Sequence, residues 1–190
     1  MLGLGKKKEE PKEEEAKDGE GENNGGDAKD SGKDDKKKNE VGSMKRGDYM
    51  IHIYIEEAKN LKTGGEGESV DPMVELNVLN QSKYTKAEEN ISGTGIAVWN
   101  EHIFFEPKNV EKDDLENGKI EIRLLDKGFF KDALIGYYEF DLSYIYLMEK
   151  HSMMHKWIIM SNPESENFGE VTGNLKLSIT IAGNDDSQEQ

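Results

Sequence analysis

The chain is predicted to be all-β, an antiparallel sandwich, and three observations carry that reading. Apolar and polar residues alternate at period two in several short runs, turn-forming residues separate the runs, and little of the chain has the spacing of an amphipathic helix. The 190 residues include no cysteine, which excludes disulfides, thiolate metal sites and cysteine nucleophiles and permits a reducing compartment.

In chain order, residues 1–46 hold few large apolar side chains beyond Leu2, Leu4, Val41 and Met44. Such a segment buries too little surface to offset the entropy of ordering, so a disordered charged tail is expected there. Its lysine clusters, Lys6–Lys8 and Lys36–Lys38, sit beside acidic residues, which makes it a solvated polyampholyte. Structure is expected from Gly47, with a sandwich core over 47–142, its closing part over 143–186 and a frayed end at 187–190. Met50–Glu56 reads as a strand with Ile51, Ile53 and Ile55 on one face. A polar, glycine-rich loop (KTGGEGES) and Val70-Asp71-Pro72 precede a second strand carrying Val74, Leu76 and Val78. Lys83–Ala87 and Ile96–Phe105 follow, and Trp99, Phe104 and Tyr137 are assigned to the core as large aromatics. Val110–Gly118 is a polar connection or a single helical turn.

Ile120, Ile122 and Leu124 then alternate with Glu121 and Arg123, and the pattern breaks at Asp126. Gly128, Phe129, Phe130 and Asp132 follow before Leu134–Phe140 returns as a strand entered through Gly136. A loop with carboxylates at both shoulders and phenylalanines at its tip can hold a hard cation or touch a lipid surface. Leu142–His151 is the one helix of substance, with Tyr144, Leu147 and Met148 spaced to face inward. Lys156–Met160 and Leu175–Ile181 are the remaining strands, separated by a loop over 161–170.

The net charge is −15, and it is uneven. Residues 1–46 carry 12 basic and 13 acidic side chains, whereas residues 47–190 carry 13 and 27, a charge of −14. That field repels phosphate backbones, so no nucleic-acid partner is expected. No apolar run approaches the roughly 20 residues of a membrane-spanning helix. The start, MLGLGKKKEE, has the wrong order for a secretory signal, and Leu2 stands where myristoylation needs glycine. Asn80-Gln81-Ser82 and Asn90-Ile91-Ser92 match glycosylation acceptors by chance in a chain without a signal. His151 and His155 have the i, i+4 spacing zinc can use on a helix, but no third ligand accompanies them. Lys83 and Lys86 adjoin Glu88 and Glu89 and read as a solvated edge. No nucleophile–base arrangement or phosphate-cradling loop is present, so no enzymatic activity is expected.

Taken together, AKNL (58–61), Asp71-Pro72, WNEHIFF (99–105) and Asp126 through the DALIG turn resemble a C2 domain. That resemblance implies an eight-stranded Greek-key sandwich that binds phospholipid, often through calcium. DALIGYYEFDLSYIY, HKWIIMSNPESENFG (155–169) and GNLKLSITIAGNDD (173–186) extend the resemblance to the ferlins, in which a C2 domain runs into a FerI segment. It covers about residues 48–186 and implies the type II permutation, with both termini opposite the cation loops. Ferlins are large multi-C2 proteins of vesicle fusion and membrane repair. The resemblance therefore implies a cytoplasmic, monomeric, peripheral membrane module for trafficking or exocytosis, binding phospholipid or protein partners of a trafficking complex. The alternative is a calcium-independent protein-interaction C2 domain without lipid binding. Carried over residue by residue, the five calcium ligands of such domains fall at Gly65, Asp71, Asp126, Gly128 and Asp132. Asp71, Asp126 and Asp132 remain, with Glu66 or Glu68 as substitute, which allows a weak calcium site at most. Phe129, Phe130 and Lys131 are the candidate membrane contacts.

Overall fold

The computed structural model describes residues 44–167, 169–183 and 186. The expected tail falls almost wholly on residues 1–43, outside the described residues. Met44, assigned to that tail on composition, is buried at 1% exposure within the core, so packed structure is already present three residues before Gly47.

The elements are β1 (Tyr49–Lys59), β2 (Ser69–Val70), β3 (Pro72–Val78), β4 (Gln81–Tyr84), β5 (Ile91–Ser92), β6 (Ile96–Phe105), α1 (Lys112–Glu116), β7 (Lys119–Asp126), β8 (Ala133–Asp141), α2 (Leu142–Tyr146), a 3-10 turn (Glu149–His151), β9 (Ser152–Ser161) and β10 (Val171–Gly183). Eight strands join in the order β4-β3-β7-β8-β9-β10-β1-β6, while β2 and β5 form a separate two-residue pair. All pairings among the described residues are antiparallel. Among them only one pair, Tyr137 with Ser161, links β8 to β9, so the strands divide there into two four-stranded layers. Their inward residues form a single cluster: Ile51, Ile53, Ile55, Leu177 and Ile179 from one layer meet Val74, Leu76, Ile120, Ile122 and Leu124 from the other. Each such side chain removed from water stabilises the fold by roughly 1.5–3 kcal/mol.

The opposite seam, between β4 and β6, is closed by side chains. The Trp99 Nε1–H donates to the Lys86 carbonyl at 2.9 Å, and the Lys86 N–H to Glu101 Oε1 at 3.1 Å. Antiparallel alternation then sorts the connections. The loops 60–71, 85–95, 127–132 and 162–170 lie at one end of the sandwich. Tyr49 and Gly183, paired at the start of β1 and the end of β10, lie at the other. This is the type II arrangement expected from the resemblance.

The structure corrects three assignments. Phe104 is 43% exposed, and the aromatic that fills the core from this strand is Phe105, at 0%. Strand parity explains it: Ala97, Trp99, Ile103 and Phe105 share one face, so Phe104 faces outward. Tyr137 is likewise only half-buried, on the outer face opposite Arg123. Helix α2 lasts five residues, and its buried positions are Leu142, Ile145 and Tyr146, while Tyr144 and Leu147 are exposed. The helix ends before a longer periodicity can set its phase, and the chain instead turns through Lys150 and His151 at positive φ.

A paired substitution checks the parity argument by urea denaturation. Phe105→Ala should cost about 3–5 kcal/mol as a core truncation, whereas Phe104→Ala should cost less than about 1 kcal/mol as a surface change.

Candidate membrane and cation end

Three of the loops at this end, 60–71, 85–95 and 127–132, are stitched together through carboxylates. The Asp71 N–H donates to Asp126 Oδ1 at 2.8 Å, and the Asn90 N–H to Asp71 Oδ1 at 2.7 Å. The Lys127 N–H donates to the Asp71 carbonyl at 2.9 Å. Asp132 Oδ1 accepts the Gly128 N–H at 3.0 Å and closes the β7–β8 loop on itself. Each of the three aspartates therefore has one oxygen committed to a backbone amide. Among the described residues, no group of three His, Cys, Asp or Glu side chains is placed to hold a metal ion.

Gly128 shows why the ligand set is short. A Cβ built there would lie 2.0 Å from the Lys131 carbonyl oxygen, so the turn leaves no room for a side chain at this position. A carboxylate cannot stand at 128 without reopening the loop. Gly65, the other empty position, would meet only the Glu68 side chain, at 3.4 Å. Calcium takes about six to eight oxygens, and three half-committed aspartates do not fit a full site of that kind.

The tip of the same loop carries Phe129 and Phe130, 93% and 96% exposed, with ring centroids 4.7 Å apart in an edge-to-face pair. They touch each other rather than the sandwich rim. Lys127 and Lys131 bracket them, both exposed and without an ion pair among the described residues. Lys127 escaped the sequence reading although the symmetry of KGFFK was visible in it.

A sequence model described as the C2 domain matches residues 49–160. The chain belongs to the C2 domain family. Myoferlin of Xenopus tropicalis is 29% identical over 152 residues, covering 80% of this chain and 7% of that protein. Ferlin 1 of Toxoplasma gondii is 26% identical over 153 residues, covering 73% of this chain and 10% of that protein. The chain thus spans a small part of the length of the curated relatives it matches. Among solved structures, the calcium-bound pair of C2 domains from Extended-Synaptotagmin 2 aligns with a TM-score of 0.54 at 17% identity. That alignment covers 73% of this chain and 44% of that one and shows a shared fold. A longer form of the same protein, which holds the SMP domain together with both C2 domains, gives a TM-score of 0.55 at 18% identity, over 71% and 28% of the two chains.

Elsewhere in this C2 domain the histidines occupy places that the sequence did not reveal. His151 and His155 do not share a helix face. His151 stacks on the Tyr146 ring at 4.0 Å, whereas His155 lies in β9 and its Nδ1 meets Glu56 Oε1 at 2.8 Å. Glu56 sits at the β1 bulge, 8% exposed, and also meets Lys176 Nζ at 3.1 Å. Burial alone would raise its carboxyl pKa, but hydrogen bonds from Lys176 and His155 outweigh that and hold it below the ordinary value. On the outer face of β1 and β6, His52 stacks between Phe104 and His102, and its Nε2 lies 2.8 Å from His102 Nδ1. Burial, and then the His102 charge, lower the His52 pKa from 6.5. Lys83 and Lys86 are both exposed, as a solvated edge requires, and Lys83 Nζ also donates to the Phe104 carbonyl and lies over the Phe105 ring.

Two measurements follow from this geometry. Installing the missing carboxylate with Gly128→Asp should lower the melting temperature and yield no calcium heat by calorimetry; a new calcium heat would contradict the loop geometry. Because the fold favours neutral His52, its contribution is fully present above the unfolded value of 6.5 and is lost as pH falls through the lowered folded value. The urea midpoint should fall between about pH 7.5 and about pH 5, and His52→Gln should flatten that slope.

Proposed function

We propose that this C2 domain is a ferlin-like, non-enzymatic module that docks on a phospholipid surface at the cytoplasmic face of a membrane in trafficking or fusion. Weak or absent calcium dependence is part of the proposal. The observation that carries it is the solvent-facing Phe129–Phe130 pair between Lys127 and Lys131, at the end of the sandwich opposite the Tyr49–Gly183 pair. Exposed aromatic pairs of this kind mark contact sites. Each ring inserted into hydrocarbon contributes roughly 1.5–3 kcal/mol. The two lysines supply positive charge at the point where a −14 domain would otherwise be repelled by anionic headgroups.

The ferlin likeness over about four-fifths of the chain supports the trafficking role, and the short ligand set supports docking without a firmly held ion. Asp71, Asp126 and Asp132 then act first as loop braces, with Glu66 or Glu68 as the spare carboxylate in the 63–72 loop. Under this reading β9 and β10 correspond to the stretch that resembles FerI.

Sedimentation with vesicles of phosphatidylcholine and phosphatidylserine tests the proposal. Phe129→Ala/Phe130→Ala should weaken binding by about tenfold or more, since 1.4 kcal/mol is already a factor of ten. Binding should be similar in EDTA and in millimolar calcium. Unchanged binding in the double variant would remove the insertion mechanism, and strong calcium dependence would remove the calcium-independent one.

A further inference from the structure

The seam between β8 and β9 is open. At the loop end it is closed by the Tyr137–Ser161 pair and by the Asn162 Nδ2–H, which donates to the Leu134 carbonyl at 2.8 Å. Beyond Tyr137, β8 continues to Asp141 paired only with β7, and the first eight residues or so of β9 pair only with β10. A cavity of about 450 Å³ lies between the two edges, lined by Tyr138, Phe140, Tyr144, Met148, Met153 and Lys156 among others. Its size is within the range of roughly 300–1,000 Å³ typical of ligand sites. Unlike the β4–β6 seam, where Trp99, Lys86 and Glu101 fill the gap, this seam leaves strand edges facing a cavity whose aromatic and methionine side chains are mixed with Glu139, Asp141 and Lys156.

We propose that this seam is a docking site for an extended peptide segment of a protein partner, which adds its backbone to an open strand edge and places an apolar side chain in the cavity. Edge strands offer unpaired N–H and C=O groups that an extended chain satisfies and a lipid tail does not. The open stretch from Tyr138 to Asp141 has room for about four residues, or roughly 14 Å of strand. Charge sets the flanking residue. Asp141 on the β8 wall stands in register with Lys119 of β7, whose pKa is raised by the Glu139 hydrogen bond first and by the Asp141 charge as well. Lys156 on the β9 wall, by contrast, is exposed and, among the described residues, lies within ion-pair distance of no acidic group. The complementary segment therefore has an apolar residue beside an acidic one that meets Lys156. The proposal does not rest on the membrane reading, because the seam and the Phe129–Phe130 tip are separate surfaces.

A random dodecapeptide library displayed on phage and panned on the full chain tests it. Enriched sequences should carry the apolar residue beside an acidic one. A synthetic copy of one should slow amide exchange in β9 and lose about tenfold in affinity on Lys156→Glu/Tyr144→Ala. Both positions are exposed, so the variant should fold. N-methylation of alternate peptide amides should abolish binding in one phase and spare it in the other, and Phe129→Ala/Phe130→Ala should leave affinity unchanged. The proposal is overturned if no peptide is enriched, or if binding survives both the double variant and N-methylation. It is equally overturned if β9 is protected by self-association of the chain or by phosphatidylserine vesicles alone.

Discussion

The pairing of β1 with β10 is the constraint on which the rest depends. It runs from Tyr49–Gly183 to Lys59–Asn174, joining the first strand of the sandwich to the last across more than a hundred residues. Ile51, Ile53, Ile55, Leu177 and Ile179 make its inner face and are fully buried. This ladder brings the two ends of the domain together and thereby sends the loops 60–71 and 127–132 to the far end. Its one irregularity, the bulge between Ile55 and Glu57, turns Glu56 outward toward Lys176 and His155. A carboxylate that would be costly at an inward position is thus held by two cationic or proton-donating partners on the outer face.

The loop end reflects a competition between closing a tight turn and assembling oxygen ligands. Where Gly128 sits, the backbone of Lys131 occupies the space a ligand side chain would need, and Asp132 is used to brace the turn. The same tight closure thrusts Phe129 and Phe130 clear of the sandwich. The loss of a cation ligand and the presentation of an aromatic tip are therefore two consequences of one backbone conformation. In the proposed function, surface contacts are accordingly made by apolar rings and lysines rather than through an ion.

The two seams of the sandwich differ for a reason of side-chain size and parity. Trp99 faces inward from β6 and is long enough to reach the Lys86 carbonyl, so the β4–β6 gap is filled. At the β8–β9 gap, the strands part after the single Tyr137–Ser161 pair, and β8 and β9 continue paired with β7 and β10 respectively. What fills the space there is a rim of tyrosine and methionine that leaves backbone edges uncovered.

Local residue patterns suffice for the all-β class, for the strand Ile96–Phe105 to the residue, and for the loop that carries Asp126, Phe129, Phe130 and Asp132. Each of these follows from local alternation, whose period of two is set by the backbone alone. Trp99 and Phe105 were also separable from Phe104 by parity, although size alone suggested otherwise. Folding in three dimensions was needed to show that α2 buries Leu142, Ile145 and Tyr146, that Met44 belongs to the core, and that His151 and His155 part company. It alone decided, too, that β8 and β9 meet at one pair. These depend on where the chain turns and on which strands become neighbours, and such long-range packing leaves no periodic trace in a single sequence.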